Sequence, residues 1–319
     1  SYPEIRVKDH KWKGRMRFKP PIKKQMQEKL AHALSKSESE MLPASFQRLG
    51  HIVILRLRKE LVPYKKIIGE AAITCVPGTK TACVNTRKIE SEFRNPNIKY
   101  VAGEDYLEVD HHEHGCVFRF DVTKLMWSMG NMNERKRMYE MVTPNETVVD
   151  FFAGIGYWSI PIAKNTKAKH VYAIDANPDS IAALRVNKKL NKIPDSKMTI
   201  VQGKCEEVAP SLGRVADRII LGYIPAPVFA LTAAFHTLKR GGGVIHYEGV
   251  CEEGKYEELL QDVRAQGEPL GWNVELMNAQ QVKSMAPHKW HYVLDIRATP
   301  IDYNEGVMEF QRRKNNYYS

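Results

Sequence analysis

The chain has 319 residues, more than one compact core usually holds, and this predicts two domains. A composition of 43% hydrophobic and 27% charged residues excludes extended disorder. No apolar run reaches the roughly 18 to 20 residues of a membrane span, and the charged start does not suit a secretory signal, so a soluble, cytoplasmic protein without membrane contact is expected. The five cysteines are widely spaced with no CxxC pair. That pattern excludes a zinc ribbon and a disulfide framework and fits a reducing compartment. Lys and Arg outnumber Asp and Glu by 48 to 37, a net charge of +11. A polyanionic partner is favoured by such a balance, through phosphate neutralisation and counterion release.

In chain order, residues 1–40 read as a basic arm followed by a short helix over 22–34, with Pro20 and Pro21 between them. In the arm Trp12 and Phe18 interleave with Lys11, Lys13, Arg15, Arg17 and Lys19, which suits base stacking combined with phosphate contact. A merely solvated arm is the alternative. Residues 41–125 read as a small α+β domain, with β-rich runs at 51–57, 70–76, 100–109 and 117–122. From 126 to 319 the pattern changes, because apolar runs alternate with amphipathic stretches. The runs at 147–152, 170–174, 198–202, 217–221 and 243–247, then 272–277 and 292–298, predict strands of a mostly parallel, doubly wound α/β sheet. Ligands of such sheets lie at the carboxyl ends of the strands.

The strongest chemical signal is VVDFFAGIG at 148–156, a buried strand that ends in Asp150 and runs through a glycine turn with Gly154 and Gly156 into a helix. A nicotinamide-type GxGxxG would need a third glycine where Ser159 stands. Asp175, 25 residues after Asp150, falls at the end of the next strand, where a carboxylate accepts from ribose hydroxyls. A helix-capping acid before Asn177-Pro178 is its bland reading. Asn131 with Glu134 predicts a capping-box helix start that presents Arg135 to the site. The HHEH run at 111–114 reads as a polar hairpin turn, with no metal expected. Tyr223, His246 and Glu248 fall at strand ends facing the predicted pocket and are weaker candidates for touching a flat base. Phe229 is expected to pack in the core.

The SMGN run at 128–131 with Glu134-Arg135, followed by DFFAGIG at 150–156, resembles the family of tRNA guanosine N1-methyltransferases and wybutosine-synthesis aminocarboxypropyltransferases. LPASF at 42–46, LGHIV at 49–53, IGE at 68–70 and GCVFRFD at 115–121 extend the resemblance over most of 42–249. It implies a class I methyltransferase-like (Rossmann-type) fold with S-adenosylmethionine as cofactor. Ser128 and Arg135 would touch its methionyl part, Asp175 the ribose, and Gly203 and Lys204 the adenine neighbourhood, where an acid is common in the family. Asp150, Gly154 and Gly156 would shape the floor.

The member is indicated by the fourth motif. Methyltransferases of this family carry an Asn-Leu-Pro or Asn-Pro-Pro type sequence there, whereas this chain reads LGYIP at 221–225, similar to the aminocarboxypropyltransferase branch. The resemblance therefore implies transfer of the 3-amino-3-carboxypropyl group from S-adenosylmethionine to C7 of 4-demethylwyosine at position 37 of tRNA(Phe), with methylthioadenosine released. The enzyme would act on the anticodon region as a monomer, and no residue stands out as a general base. One alternative is methyl transfer, to guanosine-37 N1 or to the tricyclic base. The other is a non-catalytic RNA-binding protein.

Overall fold

The structure, a computed structural model, describes residues 20–85 and 96–301. The interleaved aromatic–basic arm and the C-terminal tail therefore lie outside the described residues. The chain divides into two compact units, Ser1–Thr86 with Lys99–Asp105, and Arg87–Ile98 with Tyr106–Ser319.

The first unit begins with helices α1 (Ile22–Leu30) and α2 (Lys36–Glu40). Ser35 closes a full capping box with Glu38 at the start of α2. Strands β1 (Gln47–Leu49), β2 (Ile52–Leu55), β3 (Thr81–Asn85) and β4 (Ile98–Gly103) form one sheet in that order, with α3 (Lys65–Cys75) between β2 and β3. Residues 70–76, expected as a strand, are instead the second half of α3 and its C-cap. The β-branched Ile73, Thr74 and Val76 suggested extension. Burial decides otherwise, because Ile68, Ala71, Ala72 and Cys75 recur at helical spacing and fill one core with Met26, Leu30, Val53 and Leu55.

In the second unit a hairpin of β5 (Glu108–Glu113) and β6 (Cys116–Asp121) comes first. Its turn is His114-Gly115, both with positive φ, so only part of the HHEH run is turn. Then follow α4 (Met132–Glu140), β7 (Thr147–Asp150), α5 (Ser159–Asn165), β8 (His170–Asp175), α6 (Pro178–Leu190), β9 (Met198–Gln202), α7 (Cys205–Leu212) and β10 (Arg218–Leu221). The last elements are α8 (Leu231–Thr237), β11 (Gly243–Glu252), α9 (Glu257–Gly267), β12 (Trp272–Ala286) and β13 (Lys289–Pro300). The unit boundary thus falls at Asp105/Tyr106 rather than at 125/126. The reason is visible in the packing of the hairpin, since Asn187 of α6 and Asn191 at its C-cap accept from the backbone N–H groups of Arg119 and Val117 at 2.6 and 2.9 Å.

The seven-stranded sheet has the order β12-β13-β11-β10-β7-β8-β9. β9, β8, β7, β10 and β11 are parallel, and β13 runs antiparallel to β11 and to β12. β8 and β9 extend the sheet to one side of β7, and β10 and β11 to the other, which makes β7/β10 the topological switch point. Helices α7, α8 and α9 share a continuous core with the sheet through Val208, Leu231, Phe235, Leu259 and Val263. The last three strands are longer than their apolar runs predict. Their extension carries polar residues such as Gln280, Gln281 and Lys283, which give no alternation to read.

Candidate active site

A cavity of about 370 Å³ opens across the carboxyl ends of β7, β8, β9 and β10, within the size range of small-molecule sites. Its lining draws on the segment before α4, the glycine turn, the ends of β8 and β9, and the loop after β10. Ser128, Arg135, Gly154, Asp175, Gly203, Lys204, Tyr223 and Glu248 all line it.

The glycine turn is held from two sides. The carboxylate of Asp175 accepts from the backbone N–H of Gly154 at 2.7 Å and from that of Asn177 at 2.8 Å, and burial raises its pKa. Gly154 has φ +55°, and a Cβ there would meet the Tyr157 ring at 2.4 Å. Each oxygen of Asp175 has lone pairs left for a ligand. Asp150 and Gly156, in contrast, do not line the cavity. Asp150 is fully buried beneath the turn, where it accepts from Ser159 Oγ at 2.6 Å and from the Phe152 N–H at 3.3 Å. Burial pushes it up to about 7. It holds the turn from beneath, and of the two acids only Asp175 lines the cavity.

Arg135 is 2% exposed and grips Glu113 of β5 with two bonds of 2.5 and 2.8 Å. Burial works against ionising Glu113, yet the Arg135 guanidinium holds it down to about 2. Arg135 also donates to the carbonyl of Ser128 at 3.1 Å and lies over the Trp127 ring at 4.6 Å. The expected capping box is not formed. Asn131 makes no side-chain cap, and Glu134 pairs with Arg137 instead. The buried Oδ1 of Asn131 has no hydrogen-bond partner among the described residues, and this residue lines the cavity.

His246 does not face the cavity. It is completely buried, with Nδ1 2.7 Å from Asp295 and Nε2 2.6 Å from Arg218. Arg218 can only donate, so Nε2 accepts and Nδ1 carries the proton, giving a neutral ring. Burial accordingly lowers its pKa, although Asp295 opposes this. Phe229, expected in the core, is 52% exposed and meets Phe152 and Tyr223 edge-on at 5.9 and 5.6 Å between centroids. These three rings form an aromatic rim. Glu206, two residues beyond Lys204, also lines the cavity, so an acid reaches this corner from the first turn of α7. Sequence reading missed Trp158, Phe152 and Glu206 as lining residues and took Asn131 only for a helix cap, although Phe152 and Asn131 both lie in recognised motifs.

The donor set fits S-adenosylmethionine. Asp175 has lone pairs free for ligand hydroxyls, the glycine turn leaves room for close approach, and Asn131 Oδ1 and Glu248 Oε1 lack partners among the described residues. A doubly wound sheet with this turn, this acid and a cavity at the switch point is the architecture of class I S-adenosylmethionine-dependent transferases.

Family comparison narrows the class. Residues 109–275 match the model of the TRM5/TYW2 methyltransferase domain, and residues 26–106 that of the TYW2 N-terminal domain. The chain belongs to the TRM5/TYW2 family. It is 36% identical over 252 residues to the tRNA(Phe) (4-demethylwyosine(37)-C(7)) aminocarboxypropyltransferase of Methanocaldococcus jannaschii, covering 79% of this chain and 97% of that one. It is also 34% identical to the tRNA (guanine(37)-N(1))-methyltransferase Trm5b of Pyrococcus abyssi, covering 81% of this chain and 76% of the relative. The crystal structure of Pyrococcus horikoshii TYW2 in complex with MeSAdo superposes with a TM-score of 0.75 at 33% identity, over 87% of this chain and 99% of that chain.

Proposed function

We propose that the chain transfers the 3-amino-3-carboxypropyl group of S-adenosylmethionine to C7 of 4-demethylwyosine at position 37 of tRNA(Phe). The observation that carries this reading is Gly222, at the end of β10. A Cβ there would stand 2.8 Å from Trp158 Nε1, so this corner of the cavity has room only while position 222 has no side chain. The similarity to the M. jannaschii aminocarboxypropyltransferase and to TYW2 with MeSAdo supports the same reading. When bound, S-adenosylmethionine supplies a sulfonium whose three neighbouring carbons are all activated, so the pocket's aim decides the product.

The chain's own residues do the aiming. Asp175 accepts the ribose hydroxyls, and Gly203 and Lys204 border the adenine. Ser128 and Arg135 stand at the methionyl end. Phe152, Tyr223 and Phe229 offer aromatic surface on which a flat tricyclic base stacks. The excess of Lys and Arg draws the anticodon region of the tRNA. The enzyme works as a monomer in the cytoplasm, which the five free cysteines suit. No described helix is long and apolar enough to cross a membrane.

The alternative of methyl transfer draws on the 34% identity to the P. abyssi methyltransferase. One experiment separates the two. The protein is incubated with S-adenosylmethionine and tRNA(Phe) bearing 4-demethylwyosine, and the nucleoside by-product is identified by mass spectrometry. Methylthioadenosine is expected, and adenosylhomocysteine would mean methyl transfer.

A further inference from the structure

Glu248 on β11 is 3% exposed and lines the cavity. Its Oε2 lies 3.0 Å from His291 Nε2, while its Oε1 has no hydrogen-bond partner among the described residues. An ionised carboxylate only accepts, so in that form the bond to Glu248 places a ring proton on His291 Nε2, and His291 Nδ1 has no partner among the described residues. A buried, half-satisfied carboxylate is costly unless a cation meets it. The space in front of it is kept open by Gly222, where a Cβ would come within 3.5 Å of Oε1.

A complementary group arrives from β12. Lys283 lies opposite His291 in the ladder, next to a register shift between Gln281 and Lys283, and such bulges re-aim a side chain. Its Nζ donates to Ser128 Oγ at 2.5 Å. Burial lowers the Lys283 pKa, Glu248 opposes this and Arg135 adds to it. Because an ammonium donates into Oγ, the hydroxyl proton of Ser128 is left for an acceptor, and Ser128 lines the cavity. An acid with one free oxygen, together with a hydroxyl backed by an ammonium, is the complement of an α-amino acid, which carries an ammonium and a carboxylate on one carbon.

We infer that Glu248 and Lys283 clamp the amino-acid end of the donor: Glu248 Oε1 receives the α-ammonium, and the Ser128 hydroxyl, set by Lys283, receives the α-carboxylate. The inference rests on the donor named above and assigns Glu248 to the donor instead of the base. His291 and Lys283 are positioning residues, acting through Glu248 and Ser128. In this family member the clamped end is the group transferred, so the clamp holds the piece that moves to the tRNA.

Calorimetric titration of three neutral-sulfur nucleosides tests the clamp without turnover. Adenosylhomocysteine carries both charged groups, its decarboxylated analogue only the ammonium, and methylthioadenosine neither. Glu248→Gln should weaken the first two by about 10- to 100-fold, as expected for a charge-assisted bond, and leave methylthioadenosine unchanged. Lys283→Met should weaken adenosylhomocysteine alone. Equal losses for all three ligands, or none, would overturn the clamp, since a loosened fold or an uninvolved side chain gives those patterns. If the wild-type protein binds none of the three, the donor reading itself falls, and the clamp with it.

Discussion

Two aspartates flank the glycine turn, Asp150 buried and Asp175 half-buried, and they answer differently to substitution. Asp175 faces the cavity with lone pairs to spare, so Asp175→Ala should weaken methylthioadenosine binding by roughly 1.5 to 3 kcal/mol, read as a rise in Kd by titration. Asp150 faces only protein, and burial raises its pKa to about 7, above its value in the unfolded chain. A raised carboxylate adds stability at low pH that is lost as pH rises through the folded-state value. Urea unfolding of the wild type and Asp150→Asn from pH 4 to 8 should show the wild type losing ground by on the order of 4 kcal/mol, mostly below pH 7. Parallel curves would mean that Asp150 ionises freely in the fold. At this scale the motif at 148–156 and Asp175 as the acid offered to the ligand were legible, but not that Asp150 and Gly156 stay out of the cavity lining while Gly154 enters it. Which acid meets the ligand depends on the direction of each side chain across the turn.

At the scale of elements, α4 is placed by a buried charge network. Arg137 reaches Asp295 on β13 at 2.6 Å and Glu134 on its own helix at 2.6 Å. Asp295 in turn accepts from His246 on β11, and Arg218 on β10 joins His246 to Glu146. Burial penalises the Asp295 charge, but the bonds from His246 and Arg137 hold its carboxyl well below the usual range. Removing one partner strands the others. Asp295→Ala should therefore cost about 3 to 5 kcal/mol in denaturant unfolding, with a weaker Kd for S-adenosylmethionine as α4 and its Arg135 loosen. His246 looked like a pocket residue in sequence because it ends an apolar run. Its partners come from positions 28 and 49 residues away, and no local pattern announces them. The strand extensions that carry Lys283 and His291 were missed for a similar reason. Their polar residues pair across the ladder and show no period-two alternation.

For the whole molecule, every cavity-lining residue lies between Lys124 and Glu248, within the second unit. Partner binding and donor binding should therefore separate. Removing residues 1–19, which hold seven basic and two acidic side chains, should weaken tRNA affinity and flatten its salt dependence while leaving the Kd for S-adenosylmethionine unchanged. Filter binding at several salt concentrations reads the first effect, and an unchanged salt slope would make the arm a solvated tail. The sequence by itself determined the class of fold, the glycine turn with Asp175 and the family resemblance, because each rests on local periodicity or on a short motif. Tertiary structure alone decided that 65–75 is helical, that Arg135 is held by Glu113, that His246 is interior, that Phe229 is exposed, and that Lys283 stands behind Ser128. Those outcomes depend on which distant strand or helix supplies the partner, and burial and charge pairing select it only once the sheet is assembled.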